Sequence, residues 1–252
     1  MAGSIFAHYP LPTFPQYNPL YMDMDENTRP QTADAFIVRG ARLADNEEFD
    51  KAIQEFTRAI QLDPNSAKAY FSRGHTLLNK GDVERAMADF NRAIRRDPNF
   101  ALAYNFRGLA HGRKGDFKRS VEDLNQAIRL APNYADAYAN RGGGHYYANS
   151  FDLAIADFDE ALRLDPENWK VYFSRGGVYL EKKMFDHAIA DYNEAILLNP
   201  DFAESYYNRG YALGGGGDID RAAVDFRTVL RLNPDHLRAK VALDNIREAR
   251  GQ

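Results

Sequence analysis

The 252-residue chain contains no cysteine, so no disulfide framework and no thiolate metal site can form within it. It has no run of about 18 apolar residues, which excludes a membrane-spanning helix of the usual kind. The opening "MAGSIFAHYPLPTFPQY" has no early basic cluster, and prolines break its apolar stretch. It does not read as a secretory signal, and cytoplasm is the default expectation. Three catalytic signatures are missing: HExxH, GxxxxGK[ST] and GxSxG. The segments "GGGHYY" and "GYALGGGGD" look like phosphate loops but lack the Lys and Ser/Thr such a loop needs. Charge is not lopsided either, with 32 Lys+Arg against 36 Asp+Glu. Neither nucleic acid nor membrane is the expected partner, and no cofactor, metal or enzymatic activity is expected.

What is present is repetition. "YFSRG" stands at Tyr70–Gly74 and again at Tyr172–Gly176, 102 residues on. Arg-Gly recurs every 34 residues from Arg39-Gly40 to Arg209-Gly210, and proline keeps the same beat from Pro64 to Pro234. The array therefore reads as six units, 33–66, 67–100, 101–134, 135–168, 169–202 and 203–236. Residues 1–32 stand before it as a Pro/aromatic-rich extended tail, and 237–252 follow it as a capping helix. Self-similarity at a fixed period marks a solenoid, in which each unit buries its apolar face against its neighbours.

Within the second unit, Ala69, Tyr70, Gly74 and Leu77 share one helical face, and Ala86, Met87, Phe90, Ala93 and Ile94 share another. "NKGD" turns the chain between them, and "DP" closes the unit. Aromatic, Gly, Leu or Tyr, Ala, Phe or Tyr, Ala and Pro recur at positions 4, 8, 11, 20, 24, 27 and 32 of each unit. This pattern resembles the tetratricopeptide repeat over residues 33–236. Departures are few: Ser120 at position 20, Val229 at position 27, and His111 and His145 at position 11. The resemblance implies an all-α, right-handed superhelical solenoid of helix-turn-helix units.

Position 7, commonly Leu in the family, is Arg in every unit: Arg39, Arg73, Arg107, Arg141, Arg175 and Arg209. Position 23 is acidic in every unit: Glu55, Asp89, Asp123, Asp157, Asp191 and Asp225. Both flank core positions, so a ladder of Arg–carboxylate pairs is expected, against the plainer reading of twelve solvated charges. His111 and His145 read as packing residues rather than metal ligands. Gly142–Gly144 fall within a first helix, and Gly214–Gly217 are expected to shorten or loosen the first helix of unit six. A stable array would tolerate both, and the functional reading is space beside a groove, as at Gly143 and Gly177. In the last stretch, Ala239, Ala242, Leu243 and Ile246 share a face that would cover the end of the array.

The family resemblance implies a concave groove lined by positions 2, 5, 9 and 12, with position 6 at its edge. Here those positions include Phe71, His75, Asn105, Asn140 and Tyr146, then Lys170, Phe173, Tyr207, Asn208 and Tyr211. Aromatic faces and Asn amides suit an extended peptide. Position 5 holds no lysine, so the carboxylate clamp of chaperone-binding relatives is absent. Residues 67–134 carry 13 Lys+Arg against 7 Asp+Glu, a basic shoulder for an acidic partner or another copy. The expected function is a protein–protein interaction scaffold that takes a peptide or partner helix. The alternative is a self-assembling homo-oligomeric module whose groove accepts its own or a neighbour's N-terminal tail.

Overall fold

Two amphipathic stretches per unit become two helices per unit. The computed structural model describes residues 31–249 and contains thirteen α-helices among them, with no strand among the described residues. The described chain divides into two compact bodies, one ending at Pro132 and one beginning at Asn133. The first holds α1 (Ala33–Asp45), α2 (Phe49–Leu62), α3 (Ala67–Lys80), α4 (Val83–Arg96), α5 (Ala101–Arg113) and α6 (Phe117–Leu130). The second holds α7 (Ala135–Tyr147), α8 (Phe151–Leu164), α9 (Trp169–Glu181), α10 (Phe185–Leu198), α11 (Ala203–Gly215), α12 (Ile219–Leu232) and α13 (Leu237–Ala249). Within each body consecutive helices pair as hairpins, and the first helices of successive hairpins also touch.

Two local devices set each hairpin. At position 15 the chain reverses through the left-handed region, at Gly81, Gly115 and Gly217 but also at Glu47, Asn149 and Lys183. At position 8 the helices approach so closely that only glycine fits. A Cβ on any of these six glycines would lie 2.6–3.0 Å from the position-24 ring or Leu124 side chain opposite. Alanines at positions 20 and 27, such as Ala86 and Ala93, are fully buried around that contact.

One expectation about the glycines is corrected. α11 runs from Ala203 to Gly215, as long as the other first helices of its body, so Gly214 and Gly215 do not shorten it. A Cβ on Gly215 would lie 2.6 Å from the Phe185 ring, so this glycine serves close packing of α11 on α10. At the C-terminal end, α13 lays Ala239 and Leu243 into a core with Ala222, Phe226 and Val229 of α12. The expected tail, residues 1–32, lies outside the described residues except for its last two.

Candidate interaction groove

The Arg–carboxylate pairs are built first, because they fix the helices that carry the groove. In each hairpin Nε of the position-7 Arg reaches the position-23 carboxylate at 2.7–2.9 Å, from Arg39–Glu55 to Arg209–Asp225. Five of the six are bidentate through Nη2 as well. The carboxylates are mostly buried, so they stand in low dielectric where a fork-shaped donor is worth most. These hydrogen bonds raise the already high pKa of Arg107, Arg141 and Arg209.

A further column joins the pairs across hairpins. The remaining Nη1 of Arg73, Arg107, Arg175 and Arg209 donates to position 25 of the preceding hairpin. The acceptors are Thr57 at 3.0 Å, Asn91 at 2.7 Å, Asp159 at 2.5 Å and Asn193 at 2.7 Å. Each guanidinium thus ties three helices. The position-25 residues did not stand out in the sequence reading, although their shared run of short polar acceptors was the available signal. A second tie links position 14 to position 18 of the preceding hairpin: Lys80–Asp50, Lys114–Glu84 and Lys182–Asp152. His111 and His145 each lie 3.7–3.8 Å from the carboxylate of their own pair, Asp123 and Asp157. Burial pushes both imidazoles below their ordinary pKa. Among the described residues no three His, Asp or Glu side chains come together to hold a metal.

Five of the ten expected groove residues are not open surface, which corrects the sequence reading. Phe71, His75, Asn105, Asn140 and Phe173 are all buried. Phe71 sits against Phe90, Phe100 and Phe106, with ring centroids 5.0–6.0 Å apart, and His75 meets Phe106 edge-on at 4.6 Å. Phe173 packs in the same way on Tyr192 and Phe202. An aromatic at position 5 therefore bridges positions 24 and 34 of its own unit, which brings position 34 into the core. Lys170 is half-buried, with Nζ 5.8 Å from the Trp169 ring.

The other four residues line one groove in the second body, with a volume of about 750 Å³. Tyr146 of α7 stands at one side, Tyr207, Asn208 and Tyr211 of α11 run along it, and Arg238, Asn245 and Ile246 of α13 close the other. Gly177 and Gly214 lie in its lining, and a Cβ on either would meet its nearest neighbour only at 3.9 Å. Tyr211 is 59% exposed. Tyr207 is fixed from three sides, by Phe226 at 5.7 Å, His236 at 5.0 Å and the Arg238 guanidinium 4.6 Å above its ring. Burial, then Glu181 and Tyr147, raises the Tyr146 phenol above its ordinary pKa, so it stays a neutral donor and acceptor. The signal for the contribution of α13 was the 34-residue count carried past residue 236, which puts Arg238 and Asn245 at groove positions 2 and 9.

Family models described as "Tetratricopeptide repeat" match residues 37–101, 101–134, 135–168 and 203–236, and one described as "TPR repeat" matches 176–215. No curated protein matches the chain at a significant level. Among solved structures, it resembles the APC/C hetero-tetramer Cut9-Hcn1 with a TM-score of 0.79 at 20% identity, over 87% of this chain and 43% of that one. Pseudomonas aeruginosa pilF gives a TM-score of 0.75 at 19% identity, over 86% and 97% of the two chains. YrrB, described as a TPR protein with an unusual peptide-binding site, gives 0.61 at 23%, over 74% and 96%. At such identities the likeness is one of fold.

Proposed function

The chain belongs to the tetratricopeptide repeat family, and from that premise we propose that it is a non-catalytic scaffold holding an extended peptide of a partner protein in the groove of its second body. The observation that carries this reading is the row Tyr207, Asn208 and Tyr211 on α11, faced by Tyr146 across a concave space of about 750 Å³. Tyrosine supplies large, rigid contact area at low entropy cost. The Asn208 amide can both donate to and accept from a peptide backbone. Gly177 and Gly214 leave room for that backbone to approach. The Arg–carboxylate pairs and their position-25 acceptors act as struts that hold this surface in shape, since a preformed site spends less binding energy on ordering. No enzyme family is indicated by the comparisons, and description of one similar protein as peptide-binding supports the reading by analogy only.

The test is a random-peptide display selection on the full-length protein, followed by calorimetry of the winning peptide. Asn208→Ala/Tyr211→Ala should weaken that peptide at least about tenfold, as expected for loss of central contacts worth more than 1 kcal/mol. Equal affinity for both proteins would overturn the groove assignment.

A further inference from the structure

The chemistry of the occupant follows from the charges around the groove. Four charged side chains line it, Glu181 and Glu204 against Lys183 and Arg238. Their signs cancel, and Glu204 is already committed. Arg238 Nη2 lies 2.9 Å from its Oε2, and His236 Nε2 lies 3.1 Å from its Oε1. Arg238 is also stacked on the Tyr207 ring. An anionic peptide finds this cation engaged on two sides, and a cationic one finds Glu204 accepting from two donors. What is left for a ligand is one charge of each sign, Glu181 and Lys183, and otherwise neutral surface: tyrosine faces, the amides of Asn208 and Asn245, and the glycine-lined stretch. Such a surface suits an uncharged segment rich in proline and aromatic residues. Prolines hold the chain extended with its carbonyls free for amide donors, and rings stack on tyrosine.

A segment of that chemistry stands in this chain. Residues 1–22 contain no Asp, Glu, Lys or Arg, although 27% of the whole chain is charged. Within them "HYPLPTFPQY", His8–Tyr17, holds Pro10, Pro12 and Pro15 together with Tyr9, Phe14 and Tyr17. Pro12 and Pro15 have the P-x-x-P spacing that places two prolines one polyproline turn apart. Three aromatics and three prolines without a charge are a poor match for a solvated tail and a close match for a neutral, tyrosine-lined groove. We infer that residues 8–17 of this chain are a resident occupant of the groove, which partner peptides must displace. The inference rests on the proposed peptide-binding role of the groove and specifies its regulation. An attached segment competes at an effective concentration that reaches the millimolar range, so it lowers the apparent affinity of every other ligand.

The probe is a fluorescent synthetic peptide of residues 6–21, titrated into three full-length proteins. These are the wild type, a tail variant Pro12→Ala/Phe14→Ala/Pro15→Ala, and the tail variant carrying Tyr211→Ala in addition. Tyr211 is exposed, so its replacement should leave folding intact, which a thermal melt checks. The expected result is at least tenfold tighter binding to the tail variant than to wild type, with that gain lost on adding Tyr211→Ala. A scrambled peptide should not bind. Concentration dependence of the wild-type mass then tells an occupant from the same copy from one supplied by a second copy, and both support the inference. Failure of the tail variant to bind the probe, or equal affinity in wild type and tail variant, overturns it. The display-selected peptide separates the two readings. If that peptide still depends on Asn208 and Tyr211 while the probe does not bind, the resident-segment inference falls and the groove stands. If neither peptide responds to groove substitutions, both fall.

Discussion

One methyl group distinguishes two kinds of glycine in the second body. A Cβ at Gly142 would lie 2.9 Å from the Phe158 ring and 3.2 Å from the Ala154 carbonyl oxygen, so Gly142→Ala must push two helices apart. It is expected to cost roughly 1–3 kcal/mol, read as a lower Tm. Gly177→Ala meets only the Tyr192 hydroxyl at 3.9 Å. It should leave Tm level or raise it slightly, because Ala is the better helix former, while narrowing the groove. Glu47 pays for a left-handed conformation, at φ 60°, that glycine takes in three other turns. Glu47→Gly should therefore stabilise by about 1 kcal/mol, measured by chemical denaturation. His111 and His145 give the fold an acid sensitivity. Burial lowers their pKa against the partly compensating pull of Asp123 and Asp157. With a folded pKa below the ordinary value of about 6.5, the unfolded chain binds more protons in that window. Stability should thus be full above about pH 6.5 and fall as pH drops through the folded pKa, and His111→Gln/His145→Gln should flatten the Tm–pH curve.

At the scale of elements, the Arg–carboxylate pairs are structural wherever they occur, and their cost of rupture is one-sided. Asp191→Ala leaves the largely buried Arg175 facing only Asp159 of the preceding hairpin, and should destabilise by about 3 kcal/mol. The double change Arg175→Met/Asp191→Leu should cost clearly less, since no unpaired charge remains; a double-mutant cycle in urea checks both. How far these elements can be read in advance depends on whether their cause is local. The 34-residue beat, the hairpins, the pairing of positions 7 and 23 and the small residues at 8, 20 and 27 all repeat in the sequence, so each copy confirms the others. The groove was legible only in part. Tyr146, Tyr207, Asn208 and Tyr211 line it, while Phe71 and Phe173 at position 5 are drawn into the core by Phe100 and Phe202. That partner column at position 34 is aromatic in some units only, so it leaves no clear period. Arg238 and Asn245 of α13 fall at groove positions 2 and 9 only when the 34-residue count is carried past the sixth unit, where the rest of the repeat pattern is missing.

For the whole molecule, the consequence of a solenoid is that its last hairpin must be covered. Leu243 is buried against α12, and Leu243→Asp should uncover Phe226 and Val229. A higher-order mass in light scattering is expected from that variant, because the bared end is a surface that another copy can meet. Covering the end and lining the groove are thus done by the same helix. Binding and stability are nevertheless separable, since the groove residues Tyr211 and Asn245 are exposed and carry little of the packing. The most direct measurement of the central claim is amide NMR of the full-length protein titrated with its display-selected peptide. Shifts concentrated at the groove-lining residues of α7, α9, α11 and α13, with Tyr146, Asn208 and Tyr211 among the largest, are the predicted result. Shifts mapping instead to the outer faces of α10 and α12, or to the basic stretch 67–134, would contradict it.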